Sequence, residues 1–123
     1  MTSQEQLSGF ICSSFPSVWS LELLLLLKRQ PRRWARAEIV ASLRASELVV
    51  TQSLASLTAG GLVSVDGEGG ASYAPAAPEL GTLVAECEAL YARSPDAVRR
   101  LIVGGRPGGS IAAFADAFRF RKD

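Results

Sequence analysis

The stretch "ASELVVTQSLASLTAGGLVSVDGEGGASYAP", Ala45 to Pro75, decides the fold. Ser46 is a good helix N-cap, because its hydroxyl can accept from a backbone N–H of the first turn. Val50, Leu54 and Leu57 then recur at helical spacing and mark the inward face. Gly60 and Gly61 end the helix, one of them free to take the left-handed backbone of a C-cap. "LVSVD" alternates apolar and polar as a half-buried strand does, "DGEGG" is a turn, and "ASYAP" returns antiparallel. The stretch predicts a helix followed by a hairpin, and it holds no Lys or Arg.

Working outward, "PRRWARAEIVASL" predicts a short helix over Arg36–Leu43 with Ile39, Val40 and Leu43 inward. Trp34 just before it is placed in a brief strand. "SSFPSVWSLELLLLLKRQP" is the clearest helix of the chain. Pro16 suits its first turn, Pro31 stops it, and Lys28 and Arg29 complement its negative end. It is apolar nearly all round, so it must be covered on more than one side, with a second subunit as a natural source of cover. The first nine residues read as polar and frayed, with at most a turn of helix over Gln4–Cys12. Downstream, "PELGTLVAECEALYARS" and "PDAVRRLIV" are helices and "GGRPGG" is a flexible link. "SIAAFADAFRFRKD" is an amphipathic helix with Ile111, Phe114 and Phe118 on one side.

The totals bound the class. A chain of 123 residues with 48% hydrophobic and 20% charged content reads as one soluble domain with a real core. A bilayer span needs about 20 apolar residues, more than any apolar run here, so no membrane is expected. The N-terminus shows no basic segment followed by an apolar one, so a cytoplasmic chain is expected. The net charge of +1 hides three bands. Residues 28–44 carry Lys28, Arg29, Arg32, Arg33, Arg36 and Arg44 against Glu38. Residues 45–92 carry six acids and no base, and the tail turns basic again.

The order of helix, short helix, turn, helix and hairpin over residues 17–75 resembles the winged helix-turn-helix domain. Within "SLASLTAGGLVSV", the positions Leu54, Leu57, Gly61, Leu62 and Val63 are similar to the pattern of MarR-like bacterial regulators. The resemblance implies a single α+β, mostly helical domain over residues 1–123. It would have a winged core at 17–75 and extra N- and C-terminal helices, with the extension at 78–121 serving dimerisation. It further implies a homodimeric transcription regulator that binds double-stranded DNA.

In that arrangement the helix after Ser46 lies in the major groove and its outward residues read bases. Thr51, Gln52, Ser53 and Ser56 are the expected readers, with Gln52 able to pair with adenine. Arg32, Arg33, Arg36 and Arg44 are the expected phosphate contacts, because duplex affinity comes largely from cations. Asp66 and Glu68 at the hairpin tip would repel phosphate. Leu48 and Val49 carry the alternative, an apolar patch on a winged-helix protein-interaction module with little or no DNA binding.

Other chemistry has less support. Without any His, a His-activated serine is excluded. A zinc site would need both cysteines and carboxylates, and Cys12 and Cys87 read as two reduced, half-buried thiols. Glu86 and Glu88 are two apart on a helix and point away from each other. "GGRPGG" matches neither phosphate-loop pattern. No enzyme activity, metal or cofactor is expected. Trp19 and Trp34 read as core. A small-molecule effector would find Trp19, Tyr91 and Phe114 around one gap, residues that core packing also explains.

Overall fold

The structure is a computed structural model describing residues 4–104. The predicted helix over 110–123 and the distal part of the dimerisation extension lie outside the described residues. The elements are α1 (Gln4–Ser14), α2 (Val18–Arg29), α3 (Arg36–Leu43), α4 (Glu47–Ala59), β1 (Val63–Val65), β2 (Ala71–Tyr73), α5 (Pro78–Arg93) and α6 (Pro95–Gly104). The chain is thus α+β and mostly helical, with a two-stranded antiparallel sheet in which Val63 faces Tyr73 and Val65 faces Ala71. Trp34 extends the sheet by one bridge: its N–H donates to Ala71 O at 2.7 Å and its carbonyl accepts from Ala71 N at 2.9 Å. No single helix among the described residues is long and apolar enough to cross a membrane.

From Gln4 onward the chain is helical, where a frayed end was expected. Leu7, Phe10 and Ile11 recur at i, i+3 and i+4, and this stripe holds α1 against α5 and α6. Phe10 meets Phe15 edge to face, with centroids 5.8 Å apart. Pro16 lies ahead of α2 and not in its first turn. Ser17 is the N-cap, and it forms a capping box with Ser20.

Leu21, Leu23, Leu24, Leu25 and Leu27 have no exposed surface. Each contributes roughly 1.5–3 kcal/mol by leaving water. Their cover comes from this chain alone. Helix α4 and strand β2 pack on α2, and Lys28 and Glu22 reach α5 through Glu88 and Tyr91. The burial of these five leucines therefore needs no second subunit.

Helix α3 ends at Arg44, which takes the left-handed conformation (φ 55°, ψ 38°). Ser46 then caps α4, accepting from Val49 N at 3.1 Å. At the other end Gly61 adopts φ +75°, where an added Cβ would stand 3.3 Å from the Ala76 Cβ. This turn lets Leu62 N donate back to Leu57 O at 3.0 Å, and β1 then packs on α4.

Trp34 is core, as expected, but Trp19 is 43% exposed. Trp19 shares a side of α2 with Leu23. It lies one turn nearer the helix start, where it borders a groove with Pro16, Ser17, Val49 and Gln52.

Candidate nucleic-acid interface

The outward face of α4 is narrower than its sequence implied. Thr51 and Gln52 are exposed, as are Ala55 and Leu48, the last at 65%. Ser53 is buried, at 4% exposure, which removes it as a base reader. The reason is periodic: Ser53 stands three residues after Val50 and four before Leu57, inside the core stripe. Val49 and Ser56 are half-buried and turn toward the start of α2, where both line the groove beside Trp19. Of the expected readers, Thr51 and Gln52 face out fully and Ser56 in part.

The four arginines divide as well. Arg32 and Arg33 precede α3 in the strand-like segment around Trp34. The Arg32 guanidinium lies 3.9 Å over the Trp34 ring and pairs with Glu38 at 3.2 Å. Glu38 also accepts from Ala35 N at 2.8 Å, capping α3, and these contacts hold its carboxyl below the usual carboxylate range, the backbone bond first.

Arg33 crosses to the hairpin. Its Nε donates to Asp66 Oδ2 at 2.5 Å, and Glu68 Oε1 lies 3.6 Å from its Nη2. Gly70 makes room for this, because any side chain there would run into the guanidinium. Asp66 in turn organises the hairpin turn: its Oδ1 accepts from Glu68 N at 2.9 Å and Gly70 N at 3.0 Å. The Arg33 bond first, and then these two N–H groups, hold the Asp66 carboxyl well below its ordinary value. The hairpin acids are therefore paired with a predicted phosphate contact, where the sequence implied two unpaired repelling charges.

Arg36 sits in the cleft between α4 and the hairpin. Its Nη1 donates to Thr51 Oγ1 at 2.9 Å and its Nη2 to Gly69 O at 3.5 Å, while Nε is buried without a partner. This places a cation against the exposed face of α4. Arg44 is exposed at the turn before α4. Around this face, Arg32, Arg33, Arg36 and Arg44 stand against Glu38, Glu47, Asp66 and Glu68, so the local charge balances.

The other expected groups resolve simply. Cys87 is buried, and burial, with Glu88 nearby, pushes its thiol up to about 12. Cys12 is half-buried and donates to Leu101 O at 3.3 Å. Both thiols are free. Glu88 bonds Lys28 and Arg29, so it serves as a clamp between α5 and α2. No group of three or more potential metal ligands gathers among the described residues. Trp19 and Tyr91 do border one groove, with Val18, Glu22, Leu43 and Arg99; Phe114, the third expected lining residue, lies outside the described residues. The Tyr91 hydroxyl donates to Glu22 and its ring lies under Arg99, with 5.7 Å from the Arg99 Cζ to the ring centroid. Burial first, and then the Glu22 bond, raise the Tyr91 pKa.

Sequence reading missed the pairing of Arg33 with Asp66 across thirty-three residues. The signal for it was the basic band of 28–44 followed by an acidic band, which can neutralise each other on folding as well as face separate partners. No family model, no curated protein and no solved structure matches this chain.

Proposed function

We propose that the chain is a winged helix-turn-helix DNA-binding regulator acting as a homodimer, with α4 as the probe helix and the β1–β2 hairpin as the wing. The single observation that carries this reading is Arg36, held between Thr51 on the outward face of α4 and Gly69 of the hairpin. A cation at that boundary is where a phosphate flanking the groove would lie. Gln52 and Thr51 are the base readers, with Ser56 at the margin, and Ser53 takes no part. Arg44 holds the phosphate on the other side of the probe. Arg32 and Arg33 stay on their carboxylate partners and join only where those carboxylates are removed. The balanced local charge makes the binding weak, with a salt dependence set by the few phosphates that Arg36 and Arg44 neutralise.

The test is selection from random duplexes at low salt, followed by anisotropy on the recovered sites. Arg36→Ala with Arg44→Ala abolishes binding on this reading, and a selection that recovers nothing refutes it. One observation favours a second reading. Leu48 and Trp19 are large exposed apolar groups, which suit a protein partner. Leu48→Asp then removes that partner in a pull-down, and an unchanged partner set rules this alternative out.

A further inference from the structure

Helix α6 buries Val98 and Ile102 against the body, yet Val103 is 63% exposed one residue further on. Val103 borders a groove of about 860 Å³ between α1 and α6, floored by Leu7, Leu90 and Leu101. Nothing among the described residues fills it. Its rim carries Arg99 and Arg100. Arg99 already pairs with Asp96 at 3.2 Å and stacks on Tyr91, whereas Arg100 is exposed.

We propose that this groove is the seat of the chain's own segment 110–120, docked in cis. Three observations select that occupant. The chain leaves α6 at Gly104, which is itself on the groove's edge, and nineteen residues follow. The first five of these, 105–109, are glycine- and proline-rich, and a link of that length spans up to roughly 17 Å. The segment beyond them places Ile111, Phe114 and Phe118 at i, i+3 and i+7, an apolar face of the width that a groove between two helices accepts. Asp116 is the one carboxylate within 110–120, and the groove's rim carries the cation of Arg100. Tethering at the groove's edge supplies an effective concentration in the millimolar range, so modest contact area suffices. This inference is independent of DNA binding.

Hydrogen exchange on the full chain tests it. In Phe114→Asp/Phe118→Asp, amides of 4–8 and 97–104 exchange at least several-fold faster than in the parent, with the solution mass unchanged. Val103→Asp, at an exposed position that leaves the core intact, produces the reciprocal effect on amides of 110–120. Unchanged exchange in both variants overturns the proposal. So does faster exchange accompanied by a halved mass, since that places a second copy in the groove.

Discussion

Asp66→Asn separates the two tasks of one carboxylate. Oδ1 accepts both backbone N–H groups of the hairpin turn, at 2.9 and 3.0 Å. Oδ2 accepts from Arg33 Nε. An asparagine keeps an amide oxygen for the turn, and its NH2 cannot accept from a guanidinium. The hairpin is therefore retained, Arg33 loses its main partner, and one negative charge leaves the wing. If the wing lies against a duplex, Arg33 becomes free to neutralise one phosphate. Each such contact adds about 0.9 to the slope of log K against log salt. Raising salt fourfold, from about 50 to 200 mM, then costs the variant an additional factor of about 3.5 per chain, or about 12 per dimer. Fluorescence anisotropy with a labelled duplex across that range reads the slope, and circular dichroism checks the fold. An unchanged slope, or a shallower one, refutes the placement of the wing beside phosphate.

Three further outcomes follow from the same structure. Gly61→Ala forces a side chain into φ +75° and against Ala76, so it destabilises by roughly 1–2 kcal/mol in urea unfolding; a neutral variant contradicts the C-cap assignment. At pH 8 an alkylating reagent modifies Cys12 and spares Cys87, whose thiol is held near 12 by burial; mass spectrometry showing two modified thiols in the folded chain contradicts this. Glu88 has its pKa lowered below the ordinary 4.5 by Lys28 first and then Arg29, so its pairing stabilises at neutral pH and is lost as pH falls through the lowered value. Glu88→Gln accordingly costs about 0.5–1 kcal/mol at pH 7 and converges with the parent in acid, below that lowered value; a difference that persists there argues against the clamp.

Which elements form was legible because the causes are local. Arg36–Leu43 and the Ser46 cap of α4 are visible in residue spacing and capping chemistry, and so are the strands on either side of "DGEGG". The burial of Ser53 was legible too, because it completes the stripe of Val50, Leu54 and Leu57, and its hydroxyl only disguised it. The helix at Gln4–Ser14 was obscured by its polar composition, since its stability comes from α5 and α6, far along the chain.

The sequence by itself determined the order of helices and strands and the band of arginines ahead of a helix without Lys or Arg. Periodicity, caps and glycine stops act over a few residues, and charge is additive along a chain. Only the tertiary structure decided how those arginines are used: Arg33 on Asp66, Arg32 on Glu38, Arg36 wedged between α4 and the hairpin. It also decided that Trp19 reaches the surface. The physical reason is that ion pairing and burial depend on which surfaces packing brings within a few ångströms, and residues thirty-three positions apart meet only after the hairpin has folded back beside the segment around Trp34.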